Sequence, residues 1–165
     1  MTAAPQPVLA ILAVPETSAS VLYGMYDLFR SAGRDWNMAI GGDAGPGVVQ
    51  PVVVATREGS FPVVNDVHVT PETTIARIGC PDVVVIPDLA VDPGGPFDLD
   101  RFATEIAWLK DCHARGAVLA SACSGALLFA EAGLLDGYDA TTHWAFADAI
   151  ARRHPRIRMR PENAL

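Results

Sequence analysis

Hydrophobic positions along this chain fall into two kinds of run that alternate almost throughout. Residues 8–14 are continuously apolar and stop at Pro15, and residues 83–86 and 117–122 repeat the same kind of run. A strand covered on one face alternates apolar and polar positions, whereas an unbroken run belongs to a strand buried on both faces of a parallel sheet. Between these runs the spacing changes to that of helices. Val21, Leu22, Met25, Leu28 and Phe29 mark a helix over 18–32, capped at Ser18 or Ser20 and stopped by Gly33. Phe102, Ile106, Leu109 and Cys112 share one face of a helix that starts at Asp98 or Asp100, runs to Arg115 and is ended by Gly116. A small-residue helix over 124–132 closes at Gly133, and another spans 144–153.

The remaining stretches are less regular. Residues 37–41 read as a second strand. Residues 50–56 and 61–69, either side of Glu58-Gly59-Ser60, read as a β-rich excursion, with 61–69 antiparallel at a sheet edge. Thr70-Pro71 opens a short helix to Ile78, and 88–96 is a loop carrying Pro93-Gly94-Gly95-Pro96. Residues 139–142 form a short strand and 157–160 begin another. Strand–helix alternation of this kind predicts one α/β domain over residues 1–165, a flavodoxin-like open parallel sheet sandwiched by helices. Because the chain stops at Asn163-Ala164-Leu165 with no helix to cover its last strand, it reads as cut short at its C-terminus or unusually economical there.

Composition narrows the function classes. Half of the 165 residues are hydrophobic and 19% are charged, enough apolar surface to build a core and exclude disorder. The net charge of −7 runs against phosphate-backbone binding. Arg152, Arg153, Arg156, Arg158 and Arg160 cluster locally, and read better as a solvated helix face and edge strand than as a nucleic-acid grip. The three cysteines, Cys80, Cys112 and Cys123, form no disulfide framework and no metal-binding spacing. Without a signal peptide or spanning segment, the expectation is a cytoplasmic protein with no membrane contact, no metal and no cofactor.

The candidate chemistry lies at Ser121-Ala122-Cys123-Ser124-Gly125. An apolar strand runs straight into a helix with a thiol at the junction, the pattern of a cysteine nucleophile elbow. Ser121 and Gly125 are expected to be small so that neighbouring backbones can approach. The turn aims the thiol at the carboxyl edge of the sheet, where open α/β sheets place ligands, beside a helix N-terminus of the kind that favours thiolates. The backbone N–H of Ser124 is a candidate oxyanion donor. Cys80 and Cys112 read as structural, and Trp36, Trp108 and Trp144 as packing residues.

The run from Ala122 to Trp144, ACSGALLFAEAGLLDGYDATTHW, resembles the ThiJ/PfpI superfamily of the class I glutamine amidotransferase-like fold. Together with LYGMYDLFRSAG at 22–33, it is most similar to the amino-terminal domains of AraC-type transcriptional regulators and to the related isonitrile hydratases. The resemblance implies Cys123 as the elbow cysteine and His143 as the histidine near it. It implies a second oxyanion donor after Pro87, where this chain has Asp88-Leu89 and reaches Gly94-Gly95 only later. It places the proton-carrying acid at the position of Val21, which can carry no proton. Glu16, five residues earlier, is expected to face solvent at the strand's end and, with Leu89, Gly125 and Trp144, to border a ligand pocket. The reading that follows is a ligand-sensing and dimerising domain of an AraC-type regulator, non-catalytic, with DNA bound only by a separate C-terminal helix-turn-helix domain outside this chain. Its partners are a small-molecule ligand and a second copy. The alternatives are a cysteine-dependent isonitrile hydratase-like lyase or small-molecule hydrolase, and a redox-sensing thiol protein.

Overall fold

A computed structural model describes residues 5–95 and 98–163. The two chain ends, and Pro96 of the expected loop, lie outside the described residues. Nine strands and six α-helices follow in the order β1 (Val8–Leu12), α1 (Ala19–Ser31), α2 (Asp35–Ala39), β2 (Gln50–Ala55), β3 (Phe61–Pro62), β4 (His68–Val69), β5 (Thr73–Thr74), α3 (Ile75–Ile78), β6 (Val83–Ile86), α4 (Ala103–Ala114), β7 (Val118–Ser121), α5 (Ala126–Glu131), β8 (Asp139–Ala140), α6 (Trp144–Arg153) and β9 (Arg158–Met159), counted among the described residues. Five of the strands make one parallel sheet in the order β5-β2-β1-β6-β7.

The unbroken apolar runs are explained by two hydrophobic layers, one on each face of this sheet. Ala10, Leu12, Val14, Val54, Val84 and Ile86 point to a layer shared with Phe102, Leu109 and Cys112 before and along α4, and with Phe146 and Ile150 of α6. The intervening residues Leu9, Ile11, Ala13, Val53, Ala55 and Val85 point to the other layer, around Leu22 of α1. Successive side chains of a strand face opposite ways, so a strand between two helical layers has no position left for a polar residue. The chain leaves β1 toward β2 on one side and leaves β6 toward β7 on the other. The crossing order therefore reverses between β1 and β6, and the loops after these two strands flank the crevice where open α/β sheets bind ligands. Among the described residues no helix is long and apolar enough to cross a membrane.

Several local expectations are corrected. Residues 37–41 are not a strand: Asp35–Ala39 is the short helix α2, and the strand next to β1 is Gln50–Ala55. The apolar residues there, Met38 and Ile40, are exposed rather than buried in a sheet. The 61–69 segment is antiparallel but forms its own two-stranded ladder, not an edge of the main sheet. Phe61, Val63 and Val69 turn into the α1-side layer and cover that face. The helix expected from Thr70-Pro71 begins at Ile75, because Thr74 caps it by accepting the Arg77 N–H at Oγ1, and Thr73–Thr74 instead pairs with β2. The apolar run at 117–122 is an edge strand rather than a buried one, with Val118 at 62% exposure. Ser121 is exposed.

The small residue that the turn does require is Gly125. A Cβ there would lie 2.3 Å from the Pro87 carbonyl oxygen and 2.8 Å from that of Ile86, both rigid backbone. Gly125→Ala is expected to lower stability by about 3 kcal/mol, since the end of β6 has nowhere to move. Urea unfolding of the variant against the wild type checks this, and an unchanged midpoint contradicts it.

Candidate functional site

The site is built where β7 hands over to α5. Ala122 still bonds to the sheet through its N–H on the Ile86 carbonyl at 2.9 Å. Cys123 then adopts φ +54, a left-handed conformation that a residue with a Cβ takes only when its surroundings impose it. A helical turn over Cys123–Gly125 leads directly into α5. The close approach of Gly125 to β6 forces this change of direction within one residue. Cys123 is exposed, whereas Cys112 is buried.

Ser124 faces the other way and is 2% exposed. Its hydroxyl accepts the Leu89 N–H at 2.7 Å and donates to the Leu89 carbonyl at 2.8 Å. Both backbone groups of Leu89 are thus satisfied by one side chain, and the loop after β6 is fastened to the β7–α5 turn. The same loop is fastened to the one after β1. Ala90 N–H donates to the Glu16 carbonyl at 2.8 Å, and the Asp88 carboxylate accepts from the Ser18 N–H at 3.3 Å and the Ser18 hydroxyl at 2.5 Å. Asp88 therefore supplies the carboxylate at the start of α1 that Ser18, the N-cap residue, does not supply through its own side chain. Val21 sits half-buried in the first turn of that helix.

The 141–144 segment approaches from the opposite side. Thr142 donates its hydroxyl to the Cys123 carbonyl at 2.9 Å. His143 caps α6, its Nδ1 accepting the Ala145 N–H at 3.2 Å, and its ring lies 5.2 Å from that of Trp144 and 6.1 Å from that of Phe146. A neutral imidazole that accepts at Nδ1 carries its proton on Nε2. Among the described residues no hydrogen bond joins the Cys123 sulfur to the His143 ring. Trp144 is 77% exposed and stands out from the surface, while Leu89 and Gly125 are buried.

Glu16 does not face solvent as expected. Its side chain is largely buried, Oε1 is paired with Arg101 at 3.2 Å, and Oε2 is enclosed without a hydrogen-bond partner. Near it is a second buried acid, Glu105, at the start of α4. Burial pushes the Glu105 carboxyl above its ordinary value, and the Glu16 charge adds to this, while its own backbone N–H and the Thr56 hydroxyl act the other way. Two acids and one arginine thus meet at the carboxyl edge of β1 and β2. Asp88, Arg101, Glu105 and Thr142 were not singled out from the sequence. Glu105 had a signal: it falls in the stripe of Phe102, Leu109 and Cys112 that α4 buries, where an acid is out of place. The arginine cluster at 153–160 does not form a free basic surface. Arg153 pairs with Glu131 at 3.0 Å, Arg156 with Asp136 at 2.5 Å, and Arg158 and Arg160 both with Asp139.

A doubly wound domain with a left-handed cysteine between an edge strand and a helix defines a narrow class of α/β proteins. The chain belongs to the DJ-1/PfpI family, whose model matches residues 24–158. The HTH-type transcriptional regulator CdhR of Pseudomonas aeruginosa is 37% identical over 57 residues, 34% of this chain. The chain spans only 17% of that regulator's length in this match. A candidate transcriptional regulator from Vibrio parahaemolyticus superposes with a TM-score of 0.75 at 18% identity, covering 96% of this chain and 78% of that one. An AraC family transcriptional regulator from Pseudomonas putida does so with 0.65 at 20% identity, covering 95% and 77%. These two structural likenesses show the fold.

The raised Glu105 makes a pH prediction. Its folded value lies above its unfolded one, so the folded protein holds this proton more tightly. That contribution is full below the ordinary carboxylate value of 4.5 and is lost as pH rises through the higher native value. Glu105→Gln, which keeps the shape and removes the ionisation, is expected to gain stability relative to wild type as pH rises from about 4 to about 8. Thermal melts of both proteins across that range check it, and parallel curves contradict it.

Proposed function

We propose that this chain is the ligand-sensing and dimerising domain of an AraC-type transcriptional regulator, and that it does not catalyse a reaction at Cys123. In this reading DNA is bound by a separate C-terminal helix-turn-helix domain. The observation that carries the proposal is that several of the groups able to move protons or stabilise an oxyanion near the β7–α5 turn take part in holding the fold. The Leu89 N–H at the end of β6 is taken by Ser124 Oγ, and His143 Nδ1 is taken by the cap of α6. Asp88 is bound by Ser18 and Glu16 by Arg101. A thiol that adds to a carbonyl or an isonitrile needs a proton delivered to the group that develops charge, which typically contributes about 10²–10⁴-fold. Val21 cannot deliver it. In this reading Cys123 and Trp144 contact the ligand from the exposed side. Ser124, Gly125 and Leu89 hold the floor, Glu16 borders it, and His143 orders the approach of α6.

The named relatives support the regulatory side of this reading, since CdhR is an HTH-type transcriptional regulator. Dimerisation is supported by the apolar surface on and after α1. Leu28, Trp36, Ile40 and Val48 are each more than half exposed, and a second copy would remove them from water. A second reading, a thiol that reports oxidants, is favoured by the exposure of Cys123.

The test is turnover of a panel of small isonitriles and amides by the wild type, Cys123→Ala and Val21→Asp. No turnover by the wild type is expected, and activity in Val21→Asp would mark a pocket that has lost its proton carrier. Wild-type turnover that disappears in Cys123→Ala contradicts the proposal and makes the chain an enzyme.

A further inference from the structure

At the amino edge of the sheet, away from Cys123, the other two cysteines lie side by side. Cys80 is in the turn between α3 and β6, and Cys112 is in the last turn of α4. Their contacts are reciprocal. The Cys80 thiol donates to the Cys112 carbonyl at 3.8 Å, and the Cys112 thiol donates to the Gly79 carbonyl, next to Cys80, at 3.8 Å. Trp108 fixes the same turn, its Nε1–H on the Gly79 carbonyl at 2.6 Å. Cys80 is also among the groups that push the Cys112 thiol up, after burial. Cys112 is completely buried, while Cys80 is partly exposed.

We propose that Cys80 and Cys112 form a reversible disulfide when the protein meets a peroxide, locking the α3–β6 turn to the end of α4. The asymmetry of exposure sets the order of events. The Cys80 sulfur attacks one peroxide oxygen, an S–O bond forms and the O–O bond breaks. The departing hydroxide takes the thiol proton and leaves as water, which gives a sulfenic acid at Cys80. The Cys112 sulfur then attacks the Cys80 sulfur. An S–S bond forms, the S–O bond breaks, and hydroxide leaves as a second water with the Cys112 proton. Two thiols lose two hydrogens and two electrons, and one peroxide is reduced to two waters. A dithiol reductant reverses the process.

Burial and the neighbouring Cys80 push the Cys112 thiol up to about 12. It is therefore a protonated thiol at neutral pH, unattractive to oxidants by itself, and its attack on a sulfenic acid at Cys80 rests on the closeness of the two side chains. The Gly79 and Cys112 carbonyl contacts hold each thiol against the other's backbone. This site is independent of Cys123 and of the function proposed above.

The experiment treats the full chain with one equivalent of hydrogen peroxide, blocks remaining thiols with iodoacetamide under native conditions, and maps peptides by mass spectrometry. The variants are Cys123→Ser, Cys80→Ser and Cys112→Ala. The expected result is a Cys80–Cys112 cross-linked peptide in wild type and in Cys123→Ser, removed by dithiothreitol and absent from Cys80→Ser. The oxidised wild type and Cys123→Ser melt at a higher temperature than their reduced forms, and Cys80→Ser does not. Cys80 is partly exposed, so its serine variant keeps the test intact if Cys112→Ala fails to fold. Cys80 left free for alkylation, Cys80 carried on to sulfinic acid, or cross-links confined to Cys123 would each overturn the proposal.

Discussion

One hydroxyl holds the carboxyl edge of this domain together. Ser124 Oγ closes on both backbone groups of Leu89, 35 residues away in sequence, from a position 2% exposed to solvent. Without it the buried Leu89 N–H would lack a partner, at about 1–3 kcal/mol, while the Leu89 carbonyl would keep the Val91 N–H at 2.9 Å. The clamp also sets the geometry around it. Leu89 fixes the loop after β6, that loop fixes Ser18 and Glu16 through Asp88 and Ala90, and Gly125 holds α5 against the end of β6. Cys123, between the clamp and β7, is left with no direction but φ +54 and outward exposure. The conformation of the cysteine is a consequence of the residues on either side of it.

The same bonds bear on the proposed reading of the site. The Leu89 N–H, His143 Nδ1 and the Asp88 carboxylate are engaged in the framework. Under the proposal, an exposed thiol above this floor serves recognition rather than turnover. Of the two buried acids, Glu16 is paired with Arg101, and the protonation of Glu105 bears on stability. At the opposite edge of the sheet lie Cys80 and Cys112. Under the two proposals the domain separates a ligand site at the carboxyl edge from a thiol pair at the amino edge.

The large features of this arrangement were legible in the sequence. Unbroken apolar runs at β1 and β6 need helices on both faces, and the strand–cysteine–glycine pattern announced the turn. What escaped was decided by distant partners. Residues 37–41 have a strand-like composition, but no neighbouring strand receives them, and they end as a short exposed helix. β7 reads as apolar, yet Val118 faces outward, because only its pairing to β6 is present among the described residues. The reach of Asp88 to Ser18 spans 70 residues, and the pairing of Glu16 with Arg101 spans more, so no local pattern contained them. Glu105 alone broke a local rule, an acid in an apolar stripe, and could have been noticed.

The account depends on the Ser124 clamp, and Ser124→Ala tests it most directly. Urea unfolding combined with hydrogen exchange at the Leu89 amide reads both its energy and its location. A loss of about 1–3 kcal/mol with Leu89 exchanging much faster is the predicted result. A loss below about 0.5 kcal/mol with Leu89 still protected would contradict it, and would mean that the loop after β6 is held by something other than this hydroxyl.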